Sequence, residues 1–252
     1  MPDPMPTPMK GARTAWRDLF AITASRPWLA AIAAVTCGAI SLADAALDPY
    51  GSIVPPALLL SFVLALLQAF LLTPILISVH RFVIIGNVAA RDPNIWRTLR
   101  FRQFFLLSAA FISLQYAPIL LTRQQPGTDV GVNAWMLATV VVNTWLSLMF
   151  PAIAVDAPGL SFRNAAADLS GNVWRIFWTA TVAVLPLMLL LLLAIIATGA
   201  KQLFAAQGAS WHTVWVVLIP LKAIIAAASY VLLVVIASRF YLQLGQRLRQ
   251  QT

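Results

Sequence analysis

Away from its charged loops, this chain of 252 residues has few side chains that could do chemistry, and most are amides or lone ions set in long apolar runs. Lys222 follows Pro220 and stands 17 residues before Arg239, while Asp44 stands 18 residues after Arg26. At about 1.5 Å per helical residue both lie roughly 25 Å from those arginines, which is the same depth if the arginines mark one boundary. An unpaired lysine in apolar surroundings costs about 3 kcal/mol, so a Lys222–Asp44 ion pair would relieve it. The alternative is that Lys222 extends to nearby headgroups while Asp44 meets water. Gln68, Gln115 and Asn143 share a second spacing, 13 residues from Arg81, Arg102 and Asp156 respectively. All three amides are therefore expected at one level, about 20 Å from the boundary. Amides at that depth either tie helices together, at about 0.6 kcal/mol each, or line a polar path for a solute.

The residues that catalysis usually requires are scarce. All eight acidic residues are Asp, with one Cys and two His. No HExxH, no Cys/His metal spacing, no carboxylate pair and no glycine-rich phosphate loop occurs. No catalytic residue, metal ligand or cofactor site is expected, and the chain reads as a non-enzyme. His80 beside Arg81 could act as a base near lipid phosphates, but it has no nucleophile or metal partner in the sequence. His212 beside Trp211 reads as a membrane-boundary residue, and Cys37 cannot form an internal disulfide.

Composition dictates the elements that must position these groups. The chain is 61% hydrophobic and 10% charged, against roughly a quarter charged in soluble domains, so lipid must solvate most of it. Six segments reach the roughly 20 apolar residues that a bilayer needs: 27–46, 56–79, 104–122, 134–155, 176–199 and 214–238. The expected class is an all-α, polytopic membrane bundle of six transmembrane helices arranged as three tandem hairpins. An amphipathic lead (1–26) precedes the membrane domain (27–238) and a basic tail (239–252) follows it.

Charge sets the direction. Of the 17 cations, 14 fall on the side that holds both termini, only Arg123 and Lys201 fall on the other, and Lys222 lies within a span. The positive-inside rule then makes both termini cytoplasmic. It also accounts for the net charge of +9 without nucleic acid. Anionic lipid headgroups become the expected partners, with Arg17, Arg81, Arg97, Arg175 and Arg239 as candidate contacts. Trp16, Trp28, Trp96, Trp174 and Trp178 sit at inner span ends, and Trp135, Trp211 and Trp215 at outer ones, as boundary tryptophans do.

The chain also repeats. Trp16-Arg17, Trp96-Arg97 and Trp174-Arg175 precede the odd spans at intervals of 80 and 78 residues, and His80-Arg81-Phe82 parallels Ser238-Arg239-Phe240 at 158. Pro74-Ile75-Leu76-Ile77 and Pro151-Ala152-Ile153-Ala154 correspond at 77. Before the first span, Trp16, Leu19, Phe20 and Ala24 make an apolar stripe expected to rest on the inner membrane surface. Phe162, Ala165, Ala166, Leu169 and Val173 make a similar stripe, with Ser161 as its cap and Gly171-Asn172 as its end. Pro74, Pro118, Pro151, Pro186 and Pro220 predict bent helices.

From Pro151 to Asp156, and again from Ala165 through Gly171-Asn172-Val173-Trp174-Arg175 to Phe177, the sequence resembles uncharacterised bacterial six-span proteins similar to the membrane domain of glycerophosphoryl diester phosphodiesterases. In those enzymes a separate soluble barrel carries catalysis. The resemblance therefore implies a bacterial inner-membrane module without an activity of its own. The function expected is a non-catalytic, membrane- or lipid-associated module, and the alternative is a small-solute or lipid transporter that uses the polar layer.

Overall fold

The computed structural model describes residues 7–47, 55–86, 94–122, 130–204 and 211–250, with side-chain surroundings for all of these except 47, 55, 56, 122, 198–204 and 211–217. Arg91 and Arg123 lie outside the described residues, as do the side chains of Lys201, Trp211, His212 and Trp215. The described residues form helices and turns, with no strand among them. In order the helices are α1 (Pro8–Ser25), α2 (Pro27–Leu47), α3 (Pro55–Ile85), α4 (Leu99–Thr122), α5 (Val130–Leu146), α6 (Met149–Ala154), α7 (Phe162–Leu169), α8 (Val173–Phe204), α9 (Trp211–Leu244) and α10 (Gln246–Arg249). A single 3-10 turn, Ile95–Arg97, precedes α4.

Five helices, α2, α3, α4, α8 and α9, are long and apolar enough to cross a bilayer, the build of a membrane-embedded protein. The fourth expected span departs from one helix: residues 134–155 are divided between the 17-residue α5 and the six-residue α6, with a turn at 147 and 148. Pro151 explains the division, because it offers no N–H to the carbonyl of Ser147 four residues earlier and its ring crowds that turn. At about 1.5 Å per residue α5 alone is about 25 Å long, short of a hydrocarbon core of about 30 Å. Pro74, Pro118, Pro186 and Pro220 instead lie inside helices that continue through them.

A helix that continues through proline leaves one carbonyl without its donor, and in apolar surroundings that group needs a partner. Pro118 frees the carbonyl of Leu114, and the indole of Trp135 on α5 donates to it at 2.8 Å. Trp16 on α1 donates to the Ala183 carbonyl at 3.0 Å, one residue beyond the carbonyl that Pro186 frees. These tryptophans therefore join helices. Trp135→Phe should cost about 1–2 kcal/mol, read as a lower unfolding midpoint in detergent. In a Pro118→Ala background, where the helix recovers its own N–H, most of that cost should vanish; equal costs in both backgrounds would refute the capping role.

Packing follows the chain around a ring. α2 touches α3, α3 touches α4, α4 touches α5, α5 touches α8, α8 touches α9, and α9 returns to α2. Inside the ring α3, α6 and α9 touch pairwise. His80 on α3 and Ser238 on α9, paired by the 158-residue interval, are in contact, with Nδ1 to Oγ at 2.7 Å. The most deeply buried apolar side chains gather at the basic end, among them Val79, Leu148, Ala152, Leu169, Leu232 and Leu248. Farther along α8, by contrast, Leu189, Leu190, Leu192, Leu193 and Ile196 are all exposed. Lipid is the solvent that such a surface suits.

The buried face of α1 differs from the expected stripe. Ala12, Ala15, Leu19 and Ile22 are buried against α8 and α9, while Phe20 and Ala24 are exposed. Close packing accompanies this rotation: a Cβ on Gly11 would lie 2.9 Å from Thr179 Cγ2, so the Thr179 side chain occupies the space that glycine leaves. The local signals around α7 match the expectation. Ser161 accepts from the Asn164 N–H at 3.1 Å, and Gly171, at φ +81°, turns the chain into α8.

Candidate functional site

Gln68, Gln115 and Asn143 line one cavity of about 590 Å³ between α3, α4, α5, α8 and α9, a volume within the roughly 300–1,000 Å³ of small-molecule sites. α3 contributes Ala65, Gln68, Ala69, Leu72, Leu76 and His80, spaced three and four apart as one helical face requires. α4 contributes Phe104, Ser108, Phe111, Ile112, Gln115 and Tyr116 with the same periodicity. Asn143 and Thr144 of α5, Ser147 at the helix break and Tyr230 of α9 supply further polar groups. From Ala65 to His80 the cavity follows α3 for about 22 Å at 1.5 Å per residue. No charged side chain is among its described lining residues.

The amides share the cavity, but Gln68 and Gln115 sit at different levels. The Phe62 and Tyr116 rings, 5.5 Å apart, fix the antiparallel register of α3 and α4. Gln68 then lies six residues farther along α3, about 9 Å from the level of Gln115's neighbour Tyr116. The boundary arginines explain the offset. Arg81 reaches into the bundle, its Nη1 donating to the Ala154 carbonyl at 3.1 Å, whereas Arg102 is exposed, so the two do not mark one depth.

Hydrogen-bond accounting separates spent groups from available ones. Gln68 donates Nε2–H to Cys37 Sγ at 3.4 Å, Ser108 donates to the Phe104 carbonyl at 3.0 Å, and Thr144 donates to the Val140 carbonyl at 2.8 Å. Ser238 donates to the Val234 carbonyl at 2.9 Å. Its single proton spent, Ser238 must accept from His80 Nδ1–H. Nε2 of His80 therefore carries the lone pair, on a ring only 1% exposed. The Ser147 hydroxyl is buried with no partner, and Gln115 and Asn143 make no hydrogen bond to a described residue. Among the described residues, then, no amide of the three bonds to another.

Asp44 and Lys222 lie elsewhere. Ser61 donates to Asp44 Oδ1 at 2.7 Å, joining α2 to α3. α2 packs on α9 with the Gly38 Cβ position 3.4 Å from Ala223 Cβ, which puts Lys222 level with residue 39. Asp44 is about 7 Å farther toward the end of α2 by that register. Neither side chain lines the cavity.

The five candidate lipid contacts also divide. Arg239 binds Asp18 through Nε at 2.7 Å and Nη2 at 2.9 Å, and Arg81 is engaged as described above. Arg17 and Arg97 are exposed, and Arg175 is partly buried. The basic end is further tied by a two-point Arg100–Asp156 pair and by Asp168, which accepts from the N–H groups of Arg247 and Leu248 at 3.1 Å each.

His80, Ser108, Thr144, Ser147 and Tyr230 belong to the cavity without having been assigned to one from the sequence. The signal available was the three-and-four spacing of polar and small residues on 65–80 and 104–116. No trio of His, Cys or acidic residues that could hold a metal occurs among the described residues. In comparisons with known proteins, no family model, curated protein or solved structure matches the chain.

Proposed function

We propose that this chain is a multi-pass protein of the bacterial inner membrane that holds a small solute or a lipid in its interhelical cavity and performs no catalysis of its own. The carrying observation is the convergence of Gln68, Gln115 and Asn143 on one cavity without hydrogen bonds among them. Gln68 bonds across the α2–α3 interface to Cys37, but Gln115 and Asn143 make no such bond to a described residue, as amides that served only to bind helices together would. In this reading α5 and α6 jointly complete a sixth crossing, and the units α2–α3, α4–α6 and α8–α9 are three tandem hairpins. The chain-order ring and the His80–Ser238 contact support that division. Both termini face the cytoplasm, and exposed Arg17 and Arg97 meet anionic headgroups there. The likeness to the membrane part of glycerophosphoryl diester phosphodiesterases accords with a membrane module that lacks a catalytic domain.

Removing the polar lining tests the reading. Mass spectrometry of molecules that co-purify with the wild-type protein should show a species that is lost when Gln68, Gln115 and Asn143 are all replaced by Leu. Identical inventories from two folded proteins would sink the proposal.

A further inference from the structure

Within the reading of the cavity as a ligand site, the donors already spent define what the ligand must bring. Gln68 uses an amide N–H on Cys37, and Ser108 and Thr144 use their hydroxyl protons on carbonyls of their own helices. What these side chains retain is Oε1 and the second N–H of Gln68, with Oγ of Ser108 and Oγ1 of Thr144 left as acceptors only. His80 adds a fourth acceptor, because Ser238 holds its proton on Nδ1 and leaves a lone pair on Nε2. The lining thus offers acceptors at His80, Ser108 and Thr144 beside groups that both donate and accept at Gln68, Gln115, Asn143 and Ser147, and no charged side chain is among its described residues.

We propose that the ligand is an uncharged group rich in hydroxyls, a polyol, whose protons are accepted by His80 Nε2 and the lining oxygens. An anion would find no cation among the described lining residues to balance it. A cation would find acceptors but no carboxylate among the described lining residues, Asp44 lying outside the cavity, and an unbalanced charge at membrane depth is costly. A purely apolar ligand would leave Ser147, Gln115 and Asn143 without partners. Hydroxyls satisfy both sides: they donate to the acceptors and accept from the amide protons of Gln115 and Asn143. Ser238 is a positioning residue, acting through the imidazole it orients.

The polyol is either free or the glyceryl head of a neutral lipid, and the test separates the two. Purified full-length protein in glycerolipid-free detergent is offered glycerol, monoolein, lysophosphatidic acid with the same acyl chain, and oleylamine, each measured by equilibrium binding. Either glycerol or monoolein should bind, and which of them does so identifies the source. The phosphate and the amine should bind at least tenfold more weakly than the preferred uncharged probe.

His80→Asn keeps a nitrogen near Nδ1 for Ser238 but ends short of Nε2, and should weaken polyol binding about tenfold with an unchanged unfolding midpoint. His80→Gln carries an acceptor to the Nε2 position and should restore binding to within about threefold of wild type. Equal or tighter binding of either charged probe overturns the polyol assignment, as does unchanged binding by His80→Asn. If no probe binds while a co-purifying molecule still depends on the three amides, the ligand class is wrong and the cavity reading stands. If neither occurs, both fail.

Discussion

The protein in which Gln68, Gln115 and Asn143 are all Leu is expected to fold with close to wild-type stability and to lose at least thirtyfold in affinity for its ligand. Little bonding within the protein is sacrificed. Of the three amides only Gln68 has a partner among the described residues, the sulfur of Cys37 at 3.4 Å, and sulfur is a weak acceptor. Amide contacts between membrane helices average about 0.6 kcal/mol, a loss that filling part of a 590 Å³ cavity with leucine offsets. The unfolding midpoint in detergent should therefore move by only a few degrees. Binding responds differently, because each hydrogen bond to a ligand is worth about 0.5–1.5 kcal/mol. Three together remove about 2–4 kcal/mol, on the order of thirtyfold to several hundredfold. A variant that unfolds would instead assign the amides to the architecture.

Gly159→Ala is expected to have the largest effect on stability, at a residue that does not line the cavity. A Cβ there would lie 2.2 Å from the Arg247 carbonyl oxygen, 2.8 Å from that of Gln250 and 3.1 Å from that of Leu248. All three are backbone atoms, so no side-chain rotation relieves the clash. The Gly159 N–H also donates to the Leu248 carbonyl at 3.0 Å. Accommodating a methyl group means lifting α10 away, which breaks that bond and withdraws the Arg247 and Leu248 N–H groups from Asp168. Overpacking and lost hydrogen bonds together should cost about 3 kcal/mol. Limited trypsin digestion reads it: cleavage after Arg247 should become fast in Gly159→Ala. Asp168→Ala removes the cap without the clash and should fall between this variant and wild type. Wild-type cleavage rates in Gly159→Ala would show that the tail does not depend on this contact.

What the sequence made legible was helix type and extent, because apolar runs of bilayer length leave few alternatives. The Ser161 cap and the Gly171 turn were legible for a local reason: each needs a particular side chain or a positive φ at one position. Helix rotation was not. A membrane helix is apolar all round, so hydrophobic periodicity no longer points inward, and packing of small residues decides which face is buried. α1, although amphipathic, also turns from the expected stripe: Ala12, Ala15, Leu19 and Ile22 are buried, whereas Phe20 and Ala24 are exposed. Depth counted from arginines misled in the same way, since Arg81 is drawn into the bundle and Arg102 is not. The break at Ser147 was foreshadowed by Pro151, but nothing local marked that proline as the one to divide a helix while Pro74 and Pro118 do not. His80 was visible through its 158-residue relation to Ser238, although only the fold shows the two in contact.

Ligand binding requires a cavity that small molecules can enter along one face of α3. Its most direct test is thiol accessibility in lipid nanodiscs, in a Cys37→Ala background, with a small uncharged water-soluble methanethiosulfonate. Ala65→Cys, Ala69→Cys and Leu76→Cys place thiols on the cavity face, whereas Leu59→Cys, Val63→Cys and Leu67→Cys place them on the opposite, exposed face of the same helix. The cavity set should react readily and the outward set, immersed in hydrocarbon, should react slowly, giving a period near 3.6 residues. Uniformly slow reaction, or faster reaction on the outward face, would contradict the cavity and the function argued from it.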